Sequence, residues 1–298
     1  MARTSPSVWL LLARIYLKAD KPYNLINSNI DLARKHVLEY VREQMIKHGE
    51  LRPPFLKEPE KSKFIKSRKI VEIQYSNLEG RDGYLIVTNY GFKMLINNKL
   101  GRRRKRTVIA HELGHTFLYN INVTPPKPYY KSTPLEANWR NIEGPSFEIG
   151  REILAPEPWI KNYTRGLKPS IKLFNKLITI FDTTKTVMAR RLVHDLKIWD
   201  VFIFFPKYDP QKRQILKPGV NERFKGKKTF KKFNIDKHWT RIKNFIEKSM
   251  KTGEIIESPL RIVNKIFYIE TDCSLLDKKG TGICIITVSY THLTLPTN

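Results

Sequence analysis

The segment Val108-Ile-Ala-His111-Glu112-Leu113-Gly114-His115-Thr-Phe117 sets two histidines four residues apart, with a glutamate directly after the first. On a helix of about 3.6 residues per turn, positions i and i+4 lie on one face, so the two imidazoles can converge on one cation. Zinc binds neutral imidazole nitrogen at about 2.0–2.1 Å. Glu112 projects beside that cation, where its carboxylate can take a proton from a metal-activated water. A catalytic zinc also needs a third protein ligand and an open position. No histidine lies between His115 and His194, which leaves the downstream acids Glu136, Glu143, Glu148 and Glu152. Spacing alone does not choose among them. Tyr129, Tyr130, Arg151 and His194 are the candidate oxyanion donors.

Several elements must position these groups. Apolar Val108, Ile109 and Leu113 predict a buried helix over Val108–Tyr119, and Gly114 keeps it narrow where another segment approaches. Ile70–Tyr75 and Gly83–Thr88 read as strands separated by turn residues. A second helix is predicted near Pro145–Leu154, ending before Pro156. Upstream, Ile30, Ala33, Val37, Val41 and Met45 repeat at helical spacing, with Asn29 or Ser28 as cap. The Pro- and Lys-rich stretch 51–69 reads as a solvated loop. Leu173, Phe174, Leu177, Ile178 and Phe181, then Asp182-Thr-Thr184, then Val187, Met188, Leu192 and Leu196 form a helix-turn-helix pattern. A strand at Val201–Phe205 follows. Further strands are hinted at Ile255–Ile256, Arg261–Ile269 and Gly282–Ile286.

Composition narrows the classes. Fifty-five Lys and Arg against 28 Asp and Glu leave +27 in 298 residues, with 41% hydrophobic residues to build a core. No apolar run approaches the ~18 residues of a membrane span, so a cytoplasmic protein without membrane contact is expected. Two cysteines, Cys273 and Cys284, make neither a disulfide framework nor a four-thiolate metal site. Near the N-terminus, the apolar stretch Val8–Ala13 is short and Arg14 interrupts it, which fits an amphipathic helix better than a signal peptide. The end of the chain, 288–298, resembles an in-frame translation of a transposon-end sequencing adapter. It is set aside from fold reasoning, and the region before it is expected to be truncated.

Three segments around the histidine pair resemble the ImmA/IrrE metallopeptidases. Asp82-Gly-Tyr-Leu-Ile-Val and Asn89-Tyr-Gly look like the family's strands before the active helix. Arg104-Lys-Arg106-Thr-Val-Ile-Ala-His111-Glu-Leu-Gly-His115 looks like its basic lead-in and HELGH core. Glu143-Gly-Pro-Ser-Phe-Glu-Ile-Gly150-Arg151-Glu152-Ile-Leu-Ala-Pro156 looks like its glutamate helix. Aligned on Pro156, the resemblance implies one Zn2+ per chain held by His111, His115 and Glu143, with Glu112 as general base and Glu152 as a non-ligand. Pro145 is tolerated best in a first turn, which places Glu143 at the helix entrance and keeps Glu148 as the reserve ligand. The implied fold is α+β: a mostly helical zincin-like core with a small sheet, then the helix-turn-helix-like pair and a basic C-terminal region. The corresponding segments are a 1–24 extension, a 25–206 peptidase domain including the pair at 168–197, a basic 207–287 region, and 288–298.

The family further implies a protein substrate, a helix-turn-helix repressor or similar regulator. The cationic surplus suits non-specific DNA contact through phosphates. The expected contacts are Arg102, Arg103 and Arg104 and, in the basic stretch Lys212–Lys232, Lys227, Lys228, Lys231 and Lys232. Phe224, Phe230, Phe233 and Trp239, interleaved with positive charge, would suit stacking on single strands. The rival expectation is a nucleic-acid-binding transcriptional regulator whose metal site is structural or vestigial. An intact Glu112 favours the peptidase, because a structural site has no use for a general base.

Overall fold

A computed structural model describes residues 7–17, 29–129, 140–219, 223–226, 230, 233–262, 265–273 and 282–288. Helix and sheet are mixed, as an α+β chain requires. The chain divides into two units, one of residues 1–160 with 179–187 and one of 161–178 with 188–298.

In the first unit, α1 (Ser7–Tyr16) buries Val8, Leu12 and Ala13. It is built into this unit: Tyr16 stacks on Tyr40, and its hydroxyl donates to the Phe117 carbonyl at 2.6 Å. The N-terminal segment expected as a mere extension therefore contributes to the core. Helix α2 (Ile30–Lys47) starts at Asn29, whose side chain accepts from the Leu32 N–H at 3.0 Å. Its apolar stripe Ala33, Val37, Val41 and Met45 is buried, while Ile30 is exposed.

The segment 51–69 is more than a solvated loop. Phe55 and Leu56 are buried, and a short helix α3 (Lys63–Ser67) buries Phe64 and Ile65. Two adjacent apolar pairs outweigh the surrounding charge in deciding which side faces inward. The two predicted strands appear as β1 (Ile70–Ser76) and β2 (Gly83–Thr88). Between them lies a third, β3 (Gly91–Asn97), which starts at the last residue of the Asn89-Tyr-Gly segment; it is parallel to β1 and antiparallel to β2, giving the order β1-β3-β2. Phe92, Met94 and Ile96 on alternate positions of this central strand are buried.

Helix α4 (Arg102–Thr116) carries the histidine pair and begins six residues earlier than expected, so the basic run forms its first turns. A short ribbon, β4 (Tyr119–Asn120) with β5 (Lys127–Pro128), follows. Helix α5 (Arg140–Leu154) also starts earlier than predicted and holds Pro145 within it. The proline forfeits one hydrogen bond, to the residue-141 carbonyl close to the helix start, where a helix has the fewest bonds to lose. Glu143 remains in the first turn.

Helix α6 (Glu157–Thr164) leads into α7 (Ile171–Phe181) and α8 (Lys185–Arg190), which continues as a π-helical turn to Asp195; α7 and α8 contribute residues to both units. The second unit is organised on an antiparallel five-stranded sheet. Its strands are β6 (Phe202–Phe204), β9 (Arg223–Lys225), β10 (Ile256–Ile262), β11 (Lys265–Asp272) and β12 (Ile283–Val288), in the order β10-β11-β12-β6-β9. A separate hairpin joins β7 (Lys207–Asp209) to β8 (Gln214–Leu216). The break expected at 206–207 falls inside this architecture, because β6 pairs with both β12 and β9. Helix α9 (Trp239–Thr252) buries Ile242 and Ile246 in a core shared with Phe202, Phe204, Leu260 and Ile269. Val288 closes β12 opposite Phe267, and the rest of 288–298 lies outside the described residues.

Five cations in the first turns of α4 oppose its dipole, whose N-terminal end is positive. Carboxylates from elsewhere in the first unit offset them. Asp182 accepts from Arg102 at 2.8 Å, Arg103 at 3.0 Å and Arg106 at 2.7 Å, and Asp82 pairs with Arg104. The Arg106 and Asp182 side chains are 5% and 7% exposed, so removing Asp182 would leave Arg106 a buried cation without a carboxylate partner. Asp182→Ala should therefore cost about 3–5 kcal/mol of unfolding free energy, whereas Arg102→Ala, at an exposed site, should cost less than about 1 kcal/mol. Denaturant unfolding of both variants checks this; equal losses would contradict it.

Candidate metal centre

The C-terminal end of α4 is held as firmly as its start. Arg68 donates to the Thr116 hydroxyl at 3.1 Å and its carbonyl at 2.8 Å, and its guanidinium lies 4.0 Å from the Phe117 ring centre. A cation there complements the negative end of the helix dipole. Against this anchored helix, α5 packs backbone to backbone. A Cβ at Gly114 would strike the Ser146 carbonyl oxygen and sit 3.0 Å from its carbon. One at Gly150 would sit 2.7 Å from the Ala110 carbonyl oxygen. Only glycine at both positions permits this approach.

The approach brings Glu143 onto the histidine pair. His111 Nε2 and His115 Nε2 stand 3.1 Å apart. Glu143 Oε2 lies 3.2 Å from His111 Nε2, and Oε1 lies 3.4 Å from His115 Nε2. Donors at about 2.0–2.1 Å from a tetrahedral ion stand about 3.3 Å from one another, so the three spacings fit such an ion without rearrangement. His111, His115 and Glu143 are the group that could hold a metal ion among the described residues. The imidazoles are 13% and 14% exposed and the Glu143 side chain 31%, so the group is reached from the glutamate side.

Charge is arranged to suit this role. The imidazoles beside it, His111 first and then His115, hold the Glu143 carboxyl down to about 2, keeping it anionic. Burial lowers the pKa of His111, outweighing the opposite pull of Glu143, and so favours the neutral ring that a metal requires. Glu112 is 6% exposed, and burial pushes its carboxyl up to about 7, with His115 lowering it and Glu143 raising it. A carboxyl poised there can both take and return a proton near neutrality.

The structure separates the other candidates. Glu148 pairs with Arg34 of α2, and the fully buried Glu152 accepts from Arg42 at 2.8 Å. Both acids tie α5 to α2. Glu136 and Tyr130 lie outside the described residues. Tyr129 packs edge-on to Tyr16, and the Lys225 N–H approaches His194 Nε2 at 3.4 Å in the second unit. Two side chains that the sequence did not single out join the centre. Phe147 stacks on His111 at 3.7 Å between ring centres while remaining 46% exposed, and Ser146 reaches His115. Their i+3 and i+4 spacing from Glu143 was the available signal.

Arg102, Arg103 and Arg104, expected on phosphates, are each paired with Asp182 or Asp82. Lys227, Lys228, Lys231 and Lys232 lie outside the described residues. Phe224 and Phe230 are buried and so unavailable for stacking, while Phe233 and Trp239, partly buried, pack against the second unit's core. Within 185–195 only Thr186 and Arg190 are exposed. These two residues, four apart, share one face of the helix.

No protein-family profile matches the chain, and no curated protein matches it. A solved structure described as a Mycobacterium tuberculosis transcriptional regulator is similar at 10% identity and a TM-score of 0.48, over 85% of this chain and 76% of that one. A likeness at that level says nothing about activity.

Gly114→Ala should push α5 away from α4. The expected result is a loss of about 1–3 kcal/mol in stability together with weaker zinc binding in a chelator competition. Unchanged affinity would contradict the packing account. The Glu112 carboxyl gives a pH test on the metal-free protein. Its pKa is raised from 4.5 unfolded to about 7 folded, so its contribution is fully present below 4.5 and is lost as pH rises through about 7. The stability of Glu112→Gln should therefore gain on that of the wild type across this interval. Parallel pH profiles in chemical denaturation would rule this out.

Proposed function

We propose that the chain is a zinc-dependent endopeptidase of the ImmA/IrrE kind, with a zincin-like core in its first unit. The observation that carries this reading is the near-tetrahedral spacing of His111 Nε2, His115 Nε2 and Glu143, with the buried Glu112 next in sequence to His111. A structural site would have no need of that fourth group.

In this reading His111 and His115 hold the ion through Nε2, and Glu143 holds it through its carboxylate. Zinc bound there would supply Lewis acidity, which polarises a carbonyl and lowers the pKa of water toward ~7. Glu112 accepts the proton of the attacking water on its carboxylate and returns it to the leaving amine. The exposed Phe147 offers an apolar contact for a substrate side chain beside the centre.

The family resemblance supports a DNA-binding repressor or similar regulator as the substrate, and the net charge of +27 supports encounter with it near nucleic acid. No helix among the described residues is long and apolar enough to cross a membrane. The rival reading, a nucleic-acid-binding regulator, loses Phe224 and Phe230 as stacking rings, since both are buried.

Glu112→Gln should keep one zinc per chain and lose peptide-bond cleavage of a co-encoded repressor by at least about 100-fold, the low end of what a general base contributes. Retained proteolysis in a zinc-loaded variant would overturn the assignment.

A further inference from the structure

Helix α5 meets the paired imidazoles with three residues on one face: Glu143, Ser146 and Phe147, at i, i+3 and i+4. Ser146 is fully buried. Its hydroxyl lies 2.9 Å from the Ile142 carbonyl oxygen and 3.1 Å from His115 Nδ1. A serine hydroxyl has one hydrogen and two lone pairs. Donated to Ile142, four residues back in the same helix, that hydrogen leaves the lone pairs to face His115. His115 Nδ1 then carries the ring proton and donates it to Ser146 Oγ. The lone pair of the neutral ring falls on Nε2, the nitrogen that faces His111 and Glu143.

The two histidines differ in this respect. His111 Nδ1 is buried with no hydrogen-bond partner among the described residues, and its ring is placed by stacking on Phe147. His115 alone has its tautomer set by a hydroxyl. The contact depends on the close approach at Gly114, where the Ser146 backbone lies against α4.

We propose that Ser146 is a positioning residue that holds His115 in the Nδ1–H tautomer and so presents Nε2 as a ready ligand for a divalent cation. The proposal rests on reading His111, His115 and Glu143 as a metal centre; Ser146 acts through His115 and touches neither ion nor substrate. Outer partners of this kind contribute about 10–100-fold to metal affinity.

Long-range 1H–15N correlation spectra of the metal-free protein, taken about two pH units above the ~6.5 of ordinary imidazole, read the tautomer directly. The wild type should show His115 as Nδ1–H. Ser146→Ala should shift it toward Nε2–H and weaken zinc binding about 10–100-fold in a chelator competition, while Ser146→Thr, which keeps the hydroxyl, restores both. An Nε2–H ring in the wild type overturns the proposal, as does a Ser146→Ala protein with unchanged tautomer and affinity. If the alanine variant does not fold, the wild-type spectrum decides alone. Failure of the metal reading is distinguishable: the wild type would take up no zinc while its His115 still showed Nδ1–H.

Discussion

The centre depends on one steric constraint, the contact of α4 with α5 through backbone atoms at Gly114 and Gly150. Side chains at these points would separate the helices by roughly the width of a methyl group, more than hydrogen-bond or ligand geometry tolerates. With both glycines present, a single face of α5 delivers Glu143, Ser146 and Phe147 to two imidazoles one turn apart on α4. The proposed ligand set, the proposed His115 tautomer and the placing of the His111 ring against Phe147 would all follow from that one packing decision.

That packing needs a rigid partner, and α4 is rigid because both of its ends are tied. Its start, crowded with five cations against an unfavourable dipole, is tied down by ion pairs to Asp82 and the buried Asp182, which offset part of that charge. Its end is clamped by Arg68 and by the Tyr16 hydroxyl on the Phe117 carbonyl. The resulting buried charge is costly, and such charge is retained where position matters more than net stability. The same logic applies to Arg42 and Glu152, which tie α5 to α2 from its other side.

Much of the site was legible in the sequence because helical periodicity fixes which residues share a face. His111, His115 and Glu112 follow from spacing within one element. Glu143 did not follow from spacing, since four downstream acids competed; only the family resemblance favoured it, and Arg34 and Arg42 are what divert Glu148 and Glu152. Strand β3 carries the alternation of a strand, with Phe92, Met94 and Ile96 buried, but only its pairing on both sides shows that it is the central strand. Phe224 and Phe230 show the converse: charge neighbours them in sequence, while burial is decided in space. Likewise, no local signal marks the partners of Phe202–Phe204, which lie about twenty and eighty residues away.

The most direct test of the central claim is X-ray absorption at the zinc edge on the protein loaded with one equivalent of zinc. The account predicts a four-donor nitrogen and oxygen shell at about 2.0–2.1 Å with the outer scattering of two imidazoles, and loss of one of them in His115→Ala. Sulfur at about 2.3 Å, or a shell unchanged by that substitution, would place the ion elsewhere and contradict it.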